Sequence, residues 1–315
     1  PGHDDDLTVT ITRGPLYYIE KDHLIKTNDL VHLRDGWLTP PKADIIAKGM
    51  EMELTTTAPP PKPGALLVHK SKNESISGVK RIVLKQDVTM NLYTTGATPF
   101  PGGDKTRPAP AAKAPSGGRK PPESRVAQGA DAPRSEPSHV IICTPGRFRY
   151  DLFKDHDMAW FDVPEDGDLP NSPQDVTVVR VNEVLGNDQL ICKHLELRLK
   201  RRDSETAPAA GTATPTPEQG LEIETAHATG PEVTLTSDAE KLDAHGNDFF
   251  YDAGKKLTIL KGVPFMEANK DESIIQAPEL QIQDIPLPTL PGSPPKTYQT
   301  VSYTHLRAHE TGRNL

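Results

Sequence analysis

Apolar side chains in this chain recur at every second position rather than every third or fourth. That rhythm disfavours helices before anything else is considered. In LTVTITRG, Leu7, Val9 and Ile11 alternate with threonines, and in MEMEL, Met50, Met52 and Leu54 alternate with glutamates. LELRLKRR puts Leu195, Leu197 and Leu199 on one face and Glu196, Arg198 and Lys200 on the other. LEIET, VTLTSD and LQIQD repeat the pattern, with β-branched residues frequent throughout. No segment of helical length carries an i, i+3, i+4 apolar stripe. The expectation is an all-β protein of antiparallel strands, about five residues each, separated by Gly, Asn and Asp turns. One face of each strand is apolar and the other wet.

Three stretches break the rhythm: TTTAPPPKPG at 55–64, a Pro/Ala/Gly-rich run at 98–137, and SETAPAAGTATPTPEQG at 204–220. Such compositions bury too little apolar area to offset the entropy of ordering, which predicts disordered linkers. The resulting division has β repeats at 1–97, a linker at 98–138, a β repeat at 139–203 and a linker at 204–220. A third β repeat covers 221–285, a Pro-rich segment 286–300, and a distinct tail 301–315. A net charge of −8 with no basic stripe argues against a nucleic-acid surface. No run reaches the roughly 18 apolar residues of a membrane helix. The chain begins at Pro1 rather than Met, so a signal peptide is neither visible nor excluded. Cys143 and Cys192 allow one disulfide or two free thiols, and no four-ligand zinc spacing is present.

The β segments resemble one another. Each of three blocks starts with a strand carrying a tyrosine (Tyr18, Tyr150, Tyr251), continues through a charged turn (EKDH, DLFKDHD, DAGKK), and closes with an alternating strand. The closing strands are Met50 to Leu54, Leu195 to Leu199 and Leu280 to Ile282. Such a unit cannot cover its own apolar face, so stacked units would share one interior, with insertions falling at strand ends. Inward-facing candidates by alternation are Leu16, Tyr18, Met50, Met52, Phe148, Tyr150, Leu190, Leu195 and Leu197, followed by Phe249, Tyr251, Leu257, Ile259, Phe265 and Ile282. They suit an open groove, but for any one of them the filling of a closed core is the simpler reading.

The third block, DAHGNDFFYDAGKKLTILKGVPFMEANKDESIIQAPELQI at 243–282, resembles the organic-solvent-tolerance (OstA-like) family of lipopolysaccharide-transport β-jellyrolls, the LptA, LptC and LptD N-terminal type. The resembling points are Asn247-Asp248, Tyr251-Asp252, Leu257-Thr258-Ile259, Gly262-Val263-Pro264 and Ala277, with looser agreement over 15–54 and 146–199. The resemblance implies an open, twisted, taco-like β-jellyroll in the periplasm or cell envelope. It also implies a non-enzymatic protein without cofactors, whose groove holds lipid acyl chains. The groove candidates are then Tyr18, Met50, Met52, Phe148, Tyr150, Leu195, Leu197, Phe249, Tyr251, Leu257, Ile259, Phe265 and Ile282. Partners would be lipopolysaccharide or a related lipid, and other OstA-like envelope proteins stacked by strand edges. Two alternatives are an extracellular carbohydrate-binding or carbohydrate-active β-solenoid or sandwich, and a purely structural envelope repeat protein.

Polar clusters add little chemistry. HDDD at 3–6 lacks the remaining oxygen ligands of a calcium site, and His156 within DLFKDHD lies at a strand turn. The basic run KRR at 200–202 reads as a solvated strand end. No G-x-S-x-G elbow, phosphate loop or H-E-x-x-H is present. The tail VSYTHLRAHETGRNL, 301–315, pairs His305 with His309 at i, i+4 yet has neither the alternation nor the linker composition. Its residues back-translate, in frame, to a transposase-end sequencing adapter followed by a short index. The expectation is therefore a translated artefact after a truncated native chain, with no metal site at the two histidines.

Overall fold

β-branched and alternating segments do form strands; nine of the sixteen described keep to eight residues or fewer, and seven run from 11 to 20. A computed structural model of the chain describes residues 7–36, 41, 43–57, 75–94, 138–154, 156–164, 174–181, 186–201, 221–238, 240–270, 273–286 and 297–304. The expected linkers at 98–137 and 204–220, HDDD, and residues 305–315 lie outside the described residues. The described chain is all-β, with one 3-10 turn at Glu20–Asp22. The first strands are β1 (Leu7–Ile11), β2 (Tyr17–Ile19), β3 (Leu24–Asp35), β4 (Ala43–Thr57) and β5 (Ser75–Thr94). Six shorter ones follow: β6 (Ser138–Thr144), β7 (Arg147–Leu152), β8 (Asp157–Asp162), β9 (Val176–Val181), β10 (Asp188–Cys192) and β11 (His194–Arg201). The last are β12 (Leu221–Ser237), β13 (Leu242–Asp252), β14 (Leu257–Lys270), β15 (Ser273–Pro286) and β16 (Thr297–Thr304).

Several glycines and prolines expected to end strands instead lie within them. LEIET and VTLTSD are two halves of β12, joined through Gly230-Pro231, and Gly262-Val263-Pro264 lies inside β14. The ladder slips at these places: between Thr229 and Val233, between His245 and Asp248, and between Lys261 and Met266. The N-terminal strands slip likewise, at Thr27/Leu30 and Ile46/Lys48, beside Gly49 with φ 78°. Bulges and hairpins use the same residue types, so composition alone cannot tell a bend from a reversal.

Bulges divide each long strand between two layers, and register aligns the apolar positions of each layer into rows. In the first layer Tyr18 pairs with Ile25, Ile25 with Met52, Met52 with Ile82 and Ile82 with Tyr150. The row continues through Ala159, Leu197, Ala226, Tyr251, Thr258 and Ile282. All three repeat tyrosines thus stand in one transverse row. A parallel row holds Met50, Leu84, Phe148, Phe161 and Leu195, then Ala228, Phe249, Leu260 and Leu280. In the second layer Leu33, Ile45, Met90, Ile142 and Val178 lead to Leu190, Leu235, Ala244 and Ala268. Most of these side chains are buried in one hydrophobic cluster.

The pairing also differs from a simply open sheet. Eight strands close a hydrogen-bonded ring, β5-β6-β9-β10-β12-β11-β8-β7 and back to β5. This corrects the expectation of an open, taco-like jellyroll. The cause is the length of β5 and β12, each of which pairs two strands along one edge. β5 takes β6 at Val88–Thr94 and β7 at Arg81–Leu84, while β12 takes β11 and β10 in the same way. Their other edges carry β4 and β13. Beyond the ring, β1 to β4 extend one flank and β13 to β16 the other.

Two expectations change at the periphery. Residues 301–304, expected to belong to an unrelated tail, continue β16 against β15, with Val301 opposite Ile282. Backbone pairing along a sheet edge needs only an extended chain, whatever its side chains. Cys143 and Cys192 are free thiols, which leaves no disulfide. Cys192 belongs to the inward row of β10, and burial pushes its thiol up to about 12. Cys143 follows the inward-facing Ile142 on β6 and is only partly buried.

Candidate functional site

The two layers face each other across an apolar cavity of about 380 Å³. Its first-layer wall comes from Ile82 and Leu84 of β5, Phe148 and Tyr150 of β7, Ala159 and Phe161 of β8, and Leu197 and Leu199 of β11. Leu33 of β3, Ala43 and Ile45 of β4, and Met90 and Leu92 of β5 line it from the second layer. Period-two alternation accounts for this wall, since every other residue of each strand points the same way. Phe148 and Phe161 pack with ring centroids 4.8 Å apart, tilted by 44°. The polar atoms at the wall are few. Tyr150 donates its hydroxyl to the buried carboxylate of Asp157 at 2.7 Å, so the phenol can face the cavity with its hydrogen-bonding capacity used.

The outer face of this wall is stiffened by charge. Asp151 accepts hydrogen bonds from Arg81 Nε at 2.6 Å and from the Arg149 guanidinium, which also lies over the Trp160 ring at 4.6 Å. Trp160 Nε1 in turn donates to Glu196 at 2.8 Å. Burial would raise the Asp151 carboxyl, but the hydrogen bonds from Arg149 and Arg81 prevail and hold it below the ordinary carboxylate value. These contacts run from β5 to β11 across the cavity wall.

At the end of the same wall His194 Nδ1 lies 2.5 Å from Asp162 Oδ1. The hydrogen bond to Asp162 raises the imidazole above its ordinary 6.5, and the hydrogen bond from His194 lowers the Asp162 carboxyl below its ordinary 3.8. The raised histidine contributes stability fully below pH 6.5 and loses it as pH rises through the raised value. The lowered aspartate contributes fully above pH 3.8 and loses it as pH falls through the lowered value. The pair is therefore worth most between those two pH values. Because both side chains are partly exposed, solvent screening keeps it below about 1 kcal/mol. His194→Gln is expected to lower the melting temperature by roughly 2 °C near pH 5, and by less above pH 8. Thermal scans across pH check this, and a deficit that grows with pH would contradict it.

Not every residue singled out by alternation lies on the inner face. Met50, Met52, Phe148, Leu190, Leu195, Leu197, Phe249, Tyr251 and Ile282 are buried, and Tyr150 is half-buried against the core. Of these, Phe148, Tyr150 and Leu197 reach the cavity. Leu16 and Tyr18 are exposed, Tyr18 at 50 %, because β2 pairs only with β3 among the described strands. Phe265 is 56 % exposed in the unpaired bulge between Lys261 and Met266. In β14 the phase is opposite to expectation: Thr258 is 5 % exposed and Leu260 is buried, which leaves Leu257 and Ile259 on the outer face. The register decides this, since Thr258 stands between Tyr251 and Ile282. His156 lies in the β7–β8 turn with its ring stacked on Phe153.

Alternation did not reveal most of the cavity wall, notably Ile82, Leu84, Ala159 and Phe161. Their signal exists in VKRIVLKQ and DMAWFD, but in the first a ladder slip at Glu53/Leu54 sets Val79 and Ile82 three residues apart, and in the second the outward Met158 and Trp160 are as apolar as the inward Ala159 and Phe161. Among the described residues no three His, Cys, Asp or Glu side chains gather closely enough to hold a metal ion. Compared with protein-family models, curated proteins and solved structures, the chain matches none.

Proposed function

We propose that the protein is a non-enzymatic lipid-binding bridge or scaffold of the cell envelope, of the kind that serves lipopolysaccharide transport and outer-membrane biogenesis. The observation that carries this reading is the cavity of about 380 Å³, walled by apolar side chains from two facing layers. An acyl chain there would gain about 25 cal/mol per Å² of surface removed from water, with no covalent step. β6 and β7 are separated only by Pro145-Gly146, and β10 and β11 only by Lys193, so each pair continues one line of chain along its neighbour. The eight-strand ring closes where β5 and β12 each carry both members of such a pair. β1 and β16 each pair with a single described strand, and the exposed edges suit stacking on other envelope proteins.

The closed ring favours one other reading, a purely structural envelope repeat whose interior is only core. A photo-crosslinking residue at Leu197, inside, compared with one at Arg198, outside, separates the two. With purified lipopolysaccharide as the probe, labelling at position 197 at least tenfold above position 198 is expected. Equal labelling, or none at 197, would leave only the structural reading.

A further inference from the structure

Given the lipid-binding reading, on which this inference rests, the size and shape of the cavity limit what it can hold. A dry cavity of about 150 Å³ accommodates the six carbons of benzene, so one of about 380 Å³ accommodates roughly fifteen. Two acyl chains of ordinary length would need about twice that space. The first-layer wall crosses five neighbouring strands, marked by Ile82, Tyr150, Ala159, Leu197 and Ile223. At about 4.8 Å per strand that wall measures about 19 Å along its curve, which suits one chain that lies across the strands and bends with the ring. The half-buried Tyr150 is committed to Asp157 rather than offered to a ligand headgroup, so the middle of the slot recognises hydrocarbon alone. We infer that the cavity takes one acyl chain of about fifteen carbons at a time, however many chains the parent lipid carries.

The test is a displacement titration on the full chain. A fluorescent fatty-acyl probe is competed by single-chain phosphocholines of 8 to 18 carbons, each below its micelle threshold, and by a two-chain phosphocholine. Affinity should rise about fourfold per added methylene and level off near fifteen carbons. The two-chain lipid should bind no tighter than its single-chain counterpart, and native mass spectrometry should count one lipid per protein. Ala159→Leu adds three carbons to the wall and should move the plateau down by about three. The series on the unmodified protein stands even if that variant fails to fold. A rise that continues through 18 carbons, or two chains bound together, would overturn the single-chain capacity while leaving lipid binding intact. If no chain length displaced the probe, the lipid-binding reading itself would fall.

Discussion

Asp188→Ala is expected to destabilise the protein by about 3–5 kcal/mol, one of the largest single-residue effects available outside the aromatic core. Asp188 and Arg180 stand directly opposite each other on β10 and β9, with Arg180 Nε donating to Asp188 Oδ2 at 2.6 Å. Both side chains are buried, Asp188 completely, and both occupy the inward positions of their strands. Bringing two charges out of water is offset only while each faces the other. Removing the carboxylate therefore takes away the buried counter-charge that Arg180 meets across the β9–β10 pair. Replacing both, as Arg180→Met with Asp188→Leu, should recover most of the loss, because the desolvation cost disappears along with the attraction. Urea unfolding of the three variants measures this. A single-variant loss under 1 kcal/mol, or a double variant as poor as the single, would refute the account.

Phe161→Ala is the second large effect, expected to cost about 3–5 kcal/mol. Phe161 is fully buried, stands between Phe148 and Leu195 in its row, and forms part of the cavity wall. Its loss removes a ring contact and enlarges a space that is already unfilled, so the neighbours gain nothing by collapsing. At 2–4 °C per kcal/mol the melting temperature should fall by roughly 10 °C. Because the enlarged cavity admits more hydrocarbon, a long-chain lipid should restore more stability to this variant than it adds to the parent protein. Calorimetry with and without a 16-carbon phosphocholine decides it. Equal ligand-induced shifts in the two proteins would argue that hydrocarbon does not enter beside Phe161.

Much of the fold was legible locally, and little of the site was. Leu195, Leu197 and Leu199 alternate with charged residues, so their direction follows from the pleat alone, and all three are buried. In LTIL, by contrast, Leu257, Ile259 and Leu260 are all apolar, and only the partners of Thr258 on β13 and β15 fix which face turns inward. One residue of register reverses every side chain that follows, and register is not written in a single strand. Bulges at Gly230-Pro231 and Gly262 used the same residues as hairpins, so the long strands β12 and β14 were expected too short. The cavity depended on something further from the sequence still: two layers facing each other, with Leu33 and Met90 from one opposite Phe148 and Phe161 from the other.

The row that carries Tyr18, Tyr150 and Tyr251 bears on how the protein comes together. On the two flanks most strands pair with the segment next to them in the chain, as β3 with β4 and β12 with β13 through to β15 with β16, whereas the ring also joins β5 to β7, β6 to β9, β8 to β11 and β10 to β12. Folding can then spread outward one strand at a time along the flanks, while the ring closes only when more distant segments meet. Stability in such an array accumulates by increments at its interfaces. Protection from amide exchange should accordingly be greatest at β5 and β12, which pair three strands each and belong to the closed ring, and fall away toward β1 and β16.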